Sequence, residues 1–193
     1  MNRLSGISAD ASEGEILFGA VDTAKFDGSL TTLPIDKRAG ATEAREFIIT
    51  LTAVGLTNNR GDSITLTANG FAVPVLLDTG TTYTYLPTQL FQEICSQVGA
   101  QVNDQSGVPI VPCNVRNYKG TVNYGFSGAV ISVELKELVI NAYTYNGGPA
   151  TFSDGTPLCY FGILDAGSEN NVMVTSPPPP PPLQPTGGCI WLR

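Results

Sequence analysis

The chain contains no histidine. That absence excludes Ser-His-Asp and Cys-His nucleophilic mechanisms within the chain, and with them any zinc site that uses imidazole. Charge is also scarce. Charged residues make up 14% of the sequence, against about 25% in ordinary domains. Ten basic residues face seventeen acidic ones, for a net charge of −7. Nucleic acid demands a basic footprint, so this balance argues against it as a partner. The acidic excess suits work at low pH, where protonated carboxylates repel less, and equally suits an ordinary soluble domain. None of the four cysteines, Cys95, Cys113, Cys159 and Cys189, stands in the C-x-x-C spacing of a zinc or redox site. No run is long and apolar enough to span a membrane, no Asn-x-Ser/Thr acceptor occurs, and no apolar signal segment follows Met1. No metal and no cofactor is expected. A chemistry built on carboxylates survives every one of these exclusions.

The 193 residues suit one domain with a sizeable core. Most of the chain reads as short strands with turn signals between them. Strands are expected at Ile16 to Phe18, Leu30 to Ile35, Glu46 to Val54, Ser63 to Ala68, Ala72 to Asp78, Thr121 to Phe126, Ala129 to Glu134, Leu138 to Ile140 and Leu158 to Leu164. Asp27-Gly28, Asn59-Arg60-Gly61-Asp62 and Asp154-Gly155 read as plain turns, and Asn69-Gly70 as a hairpin. Arg60-Gly61-Asp62 is formally an integrin-type tripeptide, but its Gly and Asp are what a turn needs. The acidic stretch Asp10 to Glu15 reads as a solvated loop. One helix is expected over Thr88 to Val98. Thr88 is its expected cap, Leu90, Phe91, Ile94 and Val98 are its apolar stripe, and Gly99 is its stop. Cys95 falls in that helix as a small buried residue.

The candidate site is Asp78-Thr79-Gly80-Thr81-Thr82. It follows the apolar run Val73-Pro74-Val75-Leu76-Leu77, which places one carboxylate at the end of a buried strand. A buried acid is costly unless its surroundings hold it. Gly80 permits a tight turn, and the hydroxyls of Thr79, Thr81 and Thr82 can hydrogen-bond the carboxylate or nearby backbone.

These residues resemble the active-site loop of the pepsin-like aspartic proteases. Gly14 to Phe26, Ser29 to Ile35, Leu86-Pro87 with the helix after it, Cys113 and Cys159 to Ile163 follow in that family's order. The resemblance is to the carboxyl-terminal lobe of the secreted fungal members, of yapsin and candidapepsin type, and runs from about Leu4 to Val172. It implies an all-β fold, a single lobe of a bilobal enzyme, mostly antiparallel, with one short helix after the Asp-Thr-Gly loop. It implies that Asp78 is one of two catalytic carboxylates that share a proton around a water about 3 Å apart. Thr81 would hydrogen-bond the outer oxygen of Asp78, Thr79 would bond across the lobe interface, and Thr82 would line the cleft. Tyr83 and Tyr85 would pack on the lobe. Peptides or proteins are the implied substrate. Cys113 pairs with Cys159 by the same resemblance, with Cα atoms about 5–6 Å apart.

The chain departs from the family in two places. One lobe is present where the family has two, so the expected partner is a separate amino-terminal lobe or, less favoured, a second copy of the chain. The competing reading is an inactive, peptidase-like binding domain or a fragment. The other departure is the end of the chain. Residues 1–172 form the expected lobe, and Met173 to Arg193 are expected to stay out of its sheet, because Pro177 to Pro182 lack amide donors and fix φ. That stretch reads as an exposed polyproline II or unstructured tail, of a shape that SH3 or WW domains bind. The resemblance implies a secreted or cell-surface protein.

Overall fold

The computed structural model describes residues 22, 24, 29–38, 40–78, 81–104, 106–167 and the backbone of 172–174. The expected strand at Ile16 to Phe18, the turn at Asp27-Gly28, the acidic loop at Asp10 to Glu15, Thr79, Gly80, Cys189 and the proline run lie outside these residues. In chain order the strands are β1 (Ile48–Leu51), β2 (Ala53–Thr57), β3 (Ser63–Thr65), β4 (Val73–Leu77), β5 (Thr84–Leu86), β6 (Gln101–Val102), β7 (Pro109–Pro112), β8 (Thr121–Phe126), β9 (Ala129–Glu134), β10 (Val139–Asn141), β11 (Leu158–Phe161), β12 (Ile163–Asp165) and β13 (Val172–Val174). Helix α1 (Thr88–Val98) follows β5, a 3-10 helix (Cys113–Asn117) follows β7, and the single turn α2 (Leu135–Leu138) follows β9.

The strands form three sheets, ordered β3-β2-β8-β9, β10-β11-β7-β6 and β1-β4-β13-β5-β12. The first two are wholly antiparallel. Local chemistry accounts for the first. The Asn58 side-chain oxygen accepts the Arg60 and Asp62 amides at 2.8 and 3.0 Å, turning β2 into β3. Arg60-Gly61-Asp62 is therefore the tip of a hairpin. Ser127 and Gly128, with φ of 36° and 106°, turn β8 into β9, the positive-φ pair that two-residue hairpins use. Gly125 lies against β2, where a Cβ would meet that of Ala53 at 3.0 Å.

Several expectations are corrected. Asn69-Gly70 does turn the chain, with the Phe71 amide on the Ala68 carbonyl at 3.1 Å, but it joins two sheets instead of making a hairpin, since β3 pairs with β2 and β4 with β1. A turn sequence fixes a reversal and not the partner, and the short, exposed β3 offers β4 no buried face. Leu30 to Ile35 is not a strand. Leu30 and Ile35 are exposed, Pro34 lacks a donor, and among the described residues the ladder contact nearby is a bridge from Asp36 to Ile48. Thr88 does not cap α1. Pro87 holds the cap position without a side-chain bond, and the Thr88 hydroxyl instead donates to the Asp165 carboxylate at 2.8 Å. Gly99 ends the helix as expected, with φ 70° and its amide and the next on the Ser96 and Cys95 carbonyls.

The largest correction concerns the last described residues. β13 lies between β4 and β5, in parallel register Val172↔Val75, Met173↔Leu76, Val174↔Leu77 and antiparallel to Tyr85 through Met173. Met173 and Val174 therefore do enter the sheet. Proline's missing amide argues only for residues from Pro177 on, and Val172-Met173-Val174 is an apolar triplet with all its donors.

The core is continuous beneath the sheets. Leu51, Val54, Val75, Leu86, Ile94 and Phe161 are each buried, and such a side chain contributes about 1.5–3 kcal/mol when fully buried. Cys113 is joined to Cys159 with Cα atoms 5.0 Å apart, stapling the 3-10 helix to β11 across 46 residues. Cys95 is free and buried in α1, as expected.

Candidate active site

The site follows from how β4 and β5 are connected. They are consecutive in sequence but separated in the sheet by β13, so Asp78, at the end of β4, and Thr84, at the start of β5, lie on either side of that strand. The approach is held just before β1, where the Leu77 amide donates to the Phe47 carbonyl at 2.9 Å, and Val75 is fully buried. The departure is held by the Thr84 amide, which donates to the Gly162 carbonyl at 2.9 Å. Asp78, the residue after β4, thus stands at the carboxyl end of a strand anchored on both sides, partly buried.

The Thr81 hydroxyl donates to Asp78 Oδ2 at 2.6 Å. A hydroxyl–carboxylate bond this short is of the charge-assisted kind, and it fixes the plane of the carboxylate. Thr82 and Tyr83 are partly buried beyond it. Burial pushes the Tyr83 phenol above its usual value, with Tyr160 and Tyr85 adding to the effect. The Tyr160 and Tyr85 phenols thus lie near enough to Tyr83 to act on it. Thr84 is a buried polar residue, 2% exposed. Sequence reasoning did not single it out, although its place in the alternation Thr82-Tyr83-Thr84-Tyr85 gives it the inward face. Phe47 was missed as well. It is 68% exposed just before β1, its carbonyl holds the Leu77 amide, and no motif marks it. Of the expected site residues, Asp78 and Thr81 are joined by that bond, and Thr82 follows partly buried. Among the described residues no group of three or more His, Cys, Asp or Glu could hold a metal ion.

The model of the eukaryotic aspartyl protease family matches residues 3–174. This chain belongs to that family. It is 38% identical over 170 residues to the probable aspartic-type endopeptidase opsB of Aspergillus oryzae, a match covering 88% of this chain and 33% of that protein. Aspartic proteinase 3 of Saccharomyces cerevisiae is 33% identical over 139 residues, covering 70% and 24%. Secreted aspartic protease 5 of Candida albicans is 32% identical over 168 residues, covering 86% and 35%. The solved aspartic proteinase of Irpex lacteus superposes with a TM-score of 0.56 at 18% identity, covering 82% of this chain and 44% of that one. That likeness shows the fold, a pepsin-like all-β lobe. The chain spans about a third of the length of the curated relatives it matches. The family match ends at residue 174, where β13 ends. Among the described residues no helix is long and apolar enough to cross a membrane.

Proposed function

We propose that this chain is the carboxyl-terminal lobe of an aspartic-type endopeptidase and supplies Asp78 as one of its two catalytic carboxylates. The observation that carries the reading is the Thr81-pinned carboxylate at the end of β4, in a loop clamped by Phe47 and Gly162. Asp-Thr-Gly occurs once in the sequence, and the chain matches about a third of its relatives' length. The second carboxylate therefore comes from another lobe.

Peptide hydrolysis by such a pair works by charge sharing. Two carboxylates about 3 Å apart cannot both ionise, so one holds the proton. The ionised member takes a proton from water as it attacks the peptide carbonyl, and the protonated member polarises that carbonyl. The pair titrates as a unit. Thr81 keeps the plane of Asp78 fixed, so the proton moves without reorganisation of the acid. Thr79 bonds across to the other lobe and Thr82 lines the cleft. Protein substrates, an oxidising compartment in keeping with the Cys113–Cys159 bond, and secretion or display at the cell surface belong to the same reading.

The test uses the chain alone and the chain refolded with the amino-terminal lobe of the Aspergillus oryzae relative. The expected result is no cleavage of a denatured protein at acidic pH by the chain alone, and pepstatin-sensitive cleavage by the pair that Asp78→Asn abolishes. Cleavage by the chain alone, lost in Asp78→Asn, would replace the two-lobe reading with a homodimer. A folded, lobe-bound pair without activity would favour the binding-domain reading.

A further inference from the structure

Away from the Asp78 loop, the partly buried cation Arg116 has no counter-ion among the described residues. Arg116 lies in the 3-10 helix that begins at Cys113. Its Nη2 lies 3.4 Å from Cys159 Sγ, donates to Asn141 Oδ1 at 2.6 Å and to the Val139 carbonyl at 3.4 Å. Its Nε is buried and meets no acceptor. Among the described residues no carboxylate pairs with it. A partly buried cation supported only by neutral acceptors is short of negative charge. The disulfide sulfurs beside it can become anions once their bond opens, and Cys159 Sγ is the one 3.4 Å from the guanidinium.

The two sulfurs are not equivalent. Cys159 is fully buried, whereas Cys113 is partly exposed. We propose that Arg116 makes the Cys113–Cys159 disulfide a thiol-responsive staple, opened by attack of a small thiol on Cys113 with Cys159 leaving as a thiolate beside the guanidinium. In the first step a thiolate RS⁻ bonds to Cys113 Sγ, the protein S–S bond breaks, and its electron pair stays on Cys159. In the second, another RS⁻ attacks the thiol's own sulfur in the mixed disulfide, releasing Cys113 as a thiolate and RSSR. Two thiols are oxidised and one protein disulfide is reduced. A cation beside the leaving sulfur lowers its basicity and speeds its departure. Opening is felt at the Asp78 loop, because β11 continues through Gly162, whose carbonyl holds the Thr84 amide.

The experiment incubates the oxidised full chain with reduced glutathione under native conditions, quenches in acid and maps unreduced peptides. The expected first adduct is on Cys113. Native opening should be about tenfold slower in Arg116→Gln and in Arg116→Met than in the unaltered chain, and should return to within about threefold in Arg116→Lys, which restores the positive charge. In strong urea all four proteins should open alike. Two neutral variants are used so that a folding failure of one leaves the other. The direction separates this role from a structural one, since a variant that merely loosens the fold exposes the bond and opens faster. A first adduct on Cys159, or neutral variants that open as fast as the unaltered chain or faster, would overturn the proposal.

Discussion

The sheet that carries Asp78 and the sheet that carries the disulfide are built on different terms. β10-β11-β7-β6 is antiparallel throughout, and one of its two central strands, β11, is tied to the 3-10 helix by the disulfide. β1-β4-β13-β5-β12 mixes parallel and antiparallel pairs, and its middle strand arrives about ninety residues after its neighbours in sequence. Parallel pairs need long crossovers, and the contacts that close them are distant in the chain. The pairs of β10-β11-β7-β6 lie closer in the chain and are reinforced by the disulfide, while β4, which ends at Asp78, pairs with the strand that comes last in sequence. The disulfide-bonded sheet is the frame, and the Asp78 sheet rests on pairs between more distant residues.

Removing the staple gives the largest test of this contrast. Replacing Cys113 and Cys159 by serine should lower stability by about 4 kcal/mol, the chain-entropy value for a loop of this size. Amide exchange should rise first in β7 and β11 and only later in β1 and β4. Equal loosening of both sheets would dissolve the distinction. Next in size is Leu86→Ala, which empties a fully buried position on β5 and should cost about 3 kcal/mol. Here the exchange gain should fall on β5, β12 and β13.

Thr81→Val sharpens the comparison at the site. It removes the 2.6 Å bond to Asp78 and should cost only about 1 kcal/mol of stability. In the assembled two-lobe enzyme kcat should fall by about tenfold or more, with KM little changed. The smallest effect is a pH dependence. Burial pushes the Cys95 thiol from 9.0 up to about 11. The folded state thus keeps that proton more tightly than the unfolded one. The contribution is fully present below pH 9 and is lost as pH rises toward 11, so Cys95→Ala should flatten the loss of stability in that window. Thermal melts across the range decide it.

Much of the frame was legible in the sequence. Thr121 to Phe126 and Ala129 to Glu134 were bounded correctly, because alternation and the Ser127-Gly128 turn act within a few residues. The α1 stripe and its Gly99 stop were equally local. β7 was missed because Pro109 and Pro112 bound it, and prolines demote a strand in any reading of propensity. It tolerates them because they sit at its ends. The loop at Asp78 was legible as a motif, yet its supports were not. The Phe47 and Gly162 carbonyls that hold Leu77 and Thr84, and the β13 strand between β4 and β5, are set by pairing between distant residues. Asn69-Gly70 and Met173-Val174 fail for the same reason. Local signals report what a segment can do, and the sheet decides which neighbour it does it with.

The central claim is that Asp78 is half of a catalytic pair whose other half lies on a separate lobe. It is tested most directly by titrating this chain into a fixed amount of a relative's amino-terminal lobe and following cleavage of a denatured protein at acidic pH. Activity should appear in proportion to a one-to-one complex, be blocked by pepstatin, and vanish with Asp78→Asn while the complex still forms. Undiminished cleavage by the Asp78→Asn complex would contradict the account.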